Sequence, residues 1–226
     1  MGIFFKLHRA VTRWGMAGLL YRVRAIIVDR WFDLRNGVDT CGIIPLDELT
    51  ISSEHKSRGC RYEPVRVLAL QSFFSRFMRI VSPQACFVDF GCGKGRVLMV
   101  ASQFGIARAR GVEFASELCE VAKRNCQEYK KRRKPVTSLE IIEGDAALYP
   151  IDPKDTLFFI FNPFDDIVMS RVLDNITESI SRHPRRIHFC IHNSALTGLI
   201  SKHGAFELED SMDLHGYQFQ VFRNRN

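Results

Sequence analysis

The sequence predicts an α/β protein: a doubly wound, mostly parallel sheet, closed by a C-terminal antiparallel hairpin and preceded by a helical and loop extension. Three observations carry that expectation. From residue 85 onward, short apolar runs alternate with amphipathic helical patterns, as in a parallel sheet covered on both faces. The first run flows directly into "FGCGKGR", with three glycines at alternate positions where a strand turns into a helix. The last two runs, "AFELEDSMDL" and "GYQFQVFR", meet across His215 and Gly216 with no helix between them, as paired antiparallel strands do.

The elements follow in order. Residues 1–30 hold six basic residues and one acid, Asp29. Leu7, Val11, Trp14, Gly18 and Tyr21 recur there at helical spacing, giving a basic amphipathic helix. Such a helix docks on the main domain, or meets a membrane surface or a second subunit. It lacks the uninterrupted apolar centre of a secretory signal, and Lys6 breaks the myristoylation pattern, although a mitochondrial-type presequence has a similar composition. Residues 31–64 are rich in Gly, Pro, Asp and Ser without a sustained period, so a long loop or cap is expected, of the kind that overlies binding sites. The extension is expected over 1–61 and the main domain over 62–226. A helix is predicted over 65–80, with Leu68, Leu70, Phe73, Phe74 and Phe77 on its apolar face and Pro83 closing it. Strands are predicted over 85–90, 109–114, 139–145, 156–162 and 186–193. Helices are predicted over 96–104, 116–129 and 167–182, with a shorter one near 195–202.

Composition narrows the function classes. A chain of 226 residues with 46% hydrophobic content can bury one sizeable core. No apolar run approaches the ~18 residues of a membrane span. Seven cysteines with no C-x-x-C spacing argue against a disulfide framework or a zinc site, and point to a reducing compartment, the cytoplasm. The net charge of +7 is concentrated at residues 130–134, "KKRRK", and 182–186, "RHPRR". Such runs attract phosphates and could steer a nucleic acid, but only Tyr129 stands beside them to stack on a base.

The glycine turn is the richest feature. Lys94 is followed by Gly95, so the turn is not a Walker loop, and Arg96 stands where a dinucleotide fingerprint needs its third glycine. Asp89 opens the turn, where an acid suits a cationic, amine-bearing group and would repel a pyrophosphate. Glu113 ends the second strand, 18 residues past Gly95, where a carboxylate can take both hydroxyls of a ribose. Asp145 ends the third strand and is placed to accept from the exocyclic amine of adenine. Cation, ribose and adenine together describe S-adenosylmethionine.

"VDFGCGKG", "GVEF", "EGDA" and "FNPF", in that order at successive strand ends, resemble the motifs of class I S-adenosylmethionine-dependent methyltransferases. The resemblance covers roughly residue 62 to the C-terminus and implies a Rossmann-like, seven-stranded fold. It implies that Gly91, Cys92, Gly93 and Lys94 line the methionine and ribose, that Glu113 holds the ribose, and that Asp145 and Ala146 hold the adenine. Phe90, Gly95 and Phe114 belong to the same motifs and, with Asn162, complete the cofactor set, with S-adenosylhomocysteine as product. Tyr62, before the first helix of the domain, matches a lid segment loosely. Lys94 and Arg96 are open to either a solvent-facing or a ligand-facing role.

The fourth strand ends in "FNPFDD". Asn162, Pro163 and Phe164 resemble the Asn-Pro-Pro-aromatic motif of enzymes that methylate amide or adenine nitrogens, with Asp165 in the aromatic position. The asparagine also resembles that of non-SET histone lysine methyltransferases. Asp165 or Asp166 could then help to deprotonate an amine, and His192, at the end of the fifth strand, could be a base. Alternatively, Asn162 caps the next helix with Pro163 in its first turn. The expected reaction is methyl transfer to a nitrogen of a protein or small molecule, with no metal. A nucleic-acid N-methyltransferase, a non-catalytic cofactor-binding module and a nicotinamide-dependent oxidoreductase are the alternatives.

Overall fold

The structure is a computed structural model that describes residues 3–81, 85–192 and 194–225, leaving aside the side chains of 3–15, 17, 194 and 195. Helix α1 (Ile3–Asn36) leads into the cap, then come α2 (Val67–Phe77), β1 (Cys86–Phe90), α3 (Arg96–Ala101), β2 (Arg108–Glu113), α4 (Ser116–Arg133), β3 (Ser138–Glu143), β4 (Asp155–Phe161), α5 (Asp166–Arg182), β5 (His188–His192), α6 (Ser194–His203), β6 (Phe206–Leu214) and β7 (Tyr217–Asn224). They build one seven-stranded sheet in the order β3-β2-β1-β4-β5-β7-β6. Strands β1 to β5 run parallel, and β7 pairs antiparallel with both β5 and β6. The chain order reverses between β1 and β4, which is where open α/β sheets bind ligands.

The two faces of the sheet are separated by residue parity, because successive strand side chains point to opposite sides. Phe87, Leu157, Phe159, Cys190 and Val221 face one core, built with α2, α3 and α4. Val88, Phe90, Phe158, Ile160, Phe189 and Phe222 face the other, built with α5 and α6. Phenylalanine dominates the first core. The Phe73 ring lies 5.0 Å from Phe77 and 5.0 Å from Phe219, and Phe74 packs edge-on to Phe87 at 5.6 Å. The expected strand–helix alternation and the closing hairpin are therefore present.

Helix α1 runs six residues past the predicted end at residue 30. Ala25, Asp29, Phe32 and Asn36 keep one buried row going at steps of four, three and four. Gly37, at φ +66, then stops the helix in the left-handed region. Leu7, Val11 and Trp14 fall among the side chains left aside, and Pro83 lies outside the described residues. Asp29 reaches from α1 to the start of α2, where its carboxylate accepts from the Val67 amide (2.9 Å) and from Arg66 (2.8 Å). Helix α2 has no side-chain cap of its own, so the acid of α1 supplies it.

Between α1 and α2 the cap is irregular but anchored. Ile44 bridges Tyr62, Ile51 bridges Ala115 and Gly59 bridges Phe164. Leu49, Ile51 and Tyr62 form a small core with Ala115 and Leu118 at the start of α4. The cap is thus sewn across the carboxyl ends of β2 and β4.

Candidate active site

The turn after β1 is folded back on β2. The amides of Gly91 and Cys92 both donate to the Val112 carbonyl, at 2.8 and 3.2 Å. Gly91 and Gly93 have φ of +77 and +53, which side-chain-bearing residues rarely adopt. A Cβ on Gly91 would lie 2.3 Å from the Pro163 ring, and one on Gly93 would lie 2.3 Å from the Tyr62 ring. The bare backbone therefore makes room for the Pro163 and Tyr62 rings, which stand beside the turn. The Cys92 side chain turns away and packs where Gly111 leaves room.

Two carboxylates sit behind this turn. Glu113 is buried, and its oxygens accept from the amides of Gly93 (2.9 Å), Phe114 (3.0 Å) and Ala115 (3.0 Å). Burial raises its pKa, and those three amides oppose the rise. Asp89 is as deeply buried, but its Oδ2 has no hydrogen-bond partner. Burial, and secondarily the charge of Glu113, push it well above the ordinary carboxylate value. A buried oxygen without a partner beside a cleft marks a place where a donor belongs.

That cleft is open at its mouth and spans about 630 Å³ when the solvent-filled opening is included. Of the expected residues it is lined by Tyr62, Asp89, Gly91, Cys92, Gly93, Glu113, Phe114, Asn162 and Pro163. A second recess, sharing Gly91, Phe114 and Pro163 with it, is lined by Val112, Asp145, Ala146 and Phe164. Asn162 has φ +50, in the left-handed region, and also lines a shallow pocket at the mouth with Cys60, Arg61, Glu63 and Phe161. Helix α5 is capped by Asp165, not by Asn162, with Asp165 Oδ1 accepting from Ile167 and Val168.

Several expectations need correction. Phe90 is in the core, stacked on Phe158 and edge-on to Tyr149, because it is one residue out of phase with Asp89. Gly95 begins α3 against Ala122 and Cys126. Lys94 reaches into the cap, to Asp39 (3.0 Å) and the Cys41 carbonyl (3.2 Å), and Arg96 binds Thr40, the Val65 carbonyl and Asp29. Arg96 thus touches the cleft wall but is spent on the cap, and neither residue is solvated. Asp145 has its carboxylate taken by His55 Nδ1 (2.7 Å), by Ser53 and by the Ala147 amide (2.8 Å), which leaves it poorly placed to serve an adenine amine. Asp165 pairs with Arg58 at 2.8 Å; burial opposes the effect, but Arg58 and the α5 amides hold its carboxyl below the usual range, unsuited to a base. Asp166 lies within α5, and His192 Nδ1 donates to the Gln218 carbonyl (2.9 Å) while its ring stacks on Phe161.

Sequence reasoning missed Ser53, His55, Arg58 and Cys60. The Cys60 amide donates to the Pro163 carbonyl (3.0 Å), and the Asp165 amide to the Arg58 carbonyl (3.1 Å), so the cap fixes the Asn162 turn from outside. Nothing local signals these residues, whose partners lie about a hundred positions away. Among the described residues no group of three or more His, Cys, Asp or Glu is disposed to hold a metal ion. No described helix is long and apolar enough to cross a membrane.

The architecture has solved counterparts. An RNA methyltransferase from Salinibacter ruber, solved in complex with S-adenosyl-L-homocysteine, superposes with a TM-score of 0.52 at 17% identity, over 72% of this chain and 94% of that one. The fold is that of class I methyltransferases. A ribosomal protein L11 methylase from Lactobacillus delbrueckii subsp. bulgaricus shares the methyltransferase fold with a TM-score of 0.50 at 15% identity, over 70% of this chain and 77% of that one. The methyltransferase domain of a bacterial protein, CtHen1-C, does so with a TM-score of 0.52 at 12% identity, over 69% of this chain and 96% of that one. By sequence, the family described as "Histone methylation protein DOT1" matches residues 67–137, which run from α2 to the turn before β3 and take in Asp89 and Glu113. A comparison with curated protein sequences finds no match.

Proposed function

We infer that the protein is an S-adenosylmethionine-dependent methyltransferase that methylates a nitrogen of a protein or small-molecule acceptor. One observation carries the reading: the partnerless, buried Asp89 oxygen beside a cleft that continues to Asn162. The cofactor supplies a methyl group already activated on a sulfonium. Asp89 suits its cationic amino acid end, Glu113 the ribose hydroxyls, and the apolar recess of Val112, Phe114, Ala146 and Phe164 the flat adenine. With Asp145 engaged by the cap, that recess holds the base by shape more than by hydrogen bonds.

The residues of the chain then have two tasks: to orient the acceptor and to keep water out. Asn162, held in a left-handed turn at the mouth, presents an amide beside Phe161. Tyr62, Pro163 and the cap close the other sides. Glu63, paired with Arg61 at the mouth, gives a cationic amine a place to approach. Direct in-line displacement needs no covalent enzyme intermediate.

Parallel calorimetric titrations with S-adenosylmethionine, S-adenosylhomocysteine and NAD test the cofactor. Binding of the first two and not of NAD is expected; NAD alone would overturn the reading. Asn162→Ala should leave cofactor affinity near that of the parent and slow transfer of labelled methyl by ~100-fold, the scale on which misplaced reactants lose rate. An equally fast variant would remove Asn162 from the acceptor site.

A further inference from the structure

Helix α1 carries two rows of side chains on opposite sides. One row, through Ala25, Asp29, Phe32 and Asn36, is buried against the domain. About half a turn away, Met16, Leu20, Val23, Ile27, Trp31 and Leu34 recur at steps of three and four residues and stand 48% to 72% exposed. The exposed row is more apolar than the buried one. To one side of the row, exposed Ile43 of the cap shares a pocket with Ile26, Arg30 and Glu63.

Charge decides what covers this row. Arg24, Arg30 and Arg35 are exposed and flank it on both sides, and Lys6, Arg9, Arg13 and Arg22 belong to the same helix. Its two acids are turned inward: Asp29 holds Arg66 and Arg96, and Asp33 holds Thr40 and Cys41. The outward side therefore offers apolar surface and positive charge alone. A second copy seated on the same row would set arginines against arginines with no acid to relieve them. An anionic bilayer offers an apolar layer for Leu20, Ile27 and Trp31 and lipid phosphates for the arginines, whose stems reach upward from the layer. Trp31 is the residue type that settles at such a boundary. Helix α1 is too polar to cross the bilayer, so it would lie along it.

We propose that α1 seats the protein on anionic lipid surfaces, its exposed apolar row sunk into the boundary between headgroups and acyl chains. Co-sedimentation of the full chain with phosphatidylcholine vesicles, with and without phosphatidylglycerol, tests this. Binding to the phosphatidylglycerol vesicles that weakens with added salt is expected, with little binding to phosphatidylcholine alone. Leu20→Glu/Ile27→Glu should lower the bound fraction at least ~10-fold, given the transfer cost of two apolar side chains, and Arg24→Gln/Arg30→Gln/Arg35→Gln should bring it to the neutral-vesicle value. The positions are exposed, so circular dichroism melting of both variants should match the parent. Absence of vesicle binding by the parent, or undiminished binding by both variants, would overturn the proposal. A dimer in sedimentation equilibrium that Leu20→Glu/Ile27→Glu dissociates would assign the row to a second copy and overturn it equally.

Discussion

Asp89 is the residue on which the chemistry of the cleft turns. With burial raising its native pKa above the unfolded value near 3.8, its ionised form weakens the fold at neutral pH. That penalty shrinks as pH falls through the raised native value and is gone below 3.8, where both states carry the proton. Asp89→Asn should therefore stabilise the free protein at neutral pH and lose that advantage in acid, as followed by urea melts across pH. A cationic ligand favours the carboxylate, so binding should release a proton and weaken as pH drops below the raised value. Asp89→Ala should cost ~1.5–3 kcal/mol of S-adenosylmethionine affinity, the range for hydrogen bonds to charged groups. Titrations in buffers of different ionisation heat would show the proton; parent-like affinity without proton release would remove Asp89 from the site.

At the scale of elements, the cap is held by polar contacts of long reach as well as by its small apolar core. Asp29 joins α1 to α2 and to Arg96 at the start of α3, and Arg96 in turn holds Thr40 and the Val65 carbonyl. Both members of that pair are 2% exposed, so removing one strands the other away from water. Asp29→Ala should lower stability by about 3 kcal/mol, with Asp29→Asn costing less because its amide oxygen can still accept from Val67. Urea midpoints would measure both, and a parent-like midpoint for Asp29→Ala would show that the clamp contributes nothing. The contacts between the cap and the strand ends were not legible in the sequence. His55 meets Asp145 across 90 residues and Arg58 meets Asp165 across 107, and the segment they come from has no period to align them. The Asp165 cap has a local signal in "DDIV", an acid immediately before an apolar helical pattern, although the cap was expected three residues earlier at Asn162.

The whole molecule was readable where burial is periodic. Parallel strands with helices between them, the central β1, β4 and β5 buried on both faces, leave one economical arrangement, and the glycine turn marks its ligand edge. What escaped were the side chains that the irregular cap brings to that edge, Ser53, His55 and Arg58 among them. The same enclosure gives the cleft a global readout. Tyr62, Asp89, Glu113 and Asn162 come from the cap and from β1, β2 and the turn after β4, so a ligand that touches all four ties the extension to the sheet. A ligand at about 100 times its dissociation constant stabilises a single cooperative unit by about 2.7 kcal/mol. For a chain of this length each kcal/mol moves the midpoint by ~2–4 °C, so S-adenosylhomocysteine should raise Tm by roughly 5–10 °C. In Asp89→Ala the rise at the same ligand concentration should be smaller, and in Leu20→Glu/Ile27→Glu it should be intact, because the exposed row of α1 lies outside the cleft. A ligand-bound protein that melts in two steps, with the first unmoved, would show that the cap and α1 unfold apart from the sheet and that the cleft is built by the sheet alone.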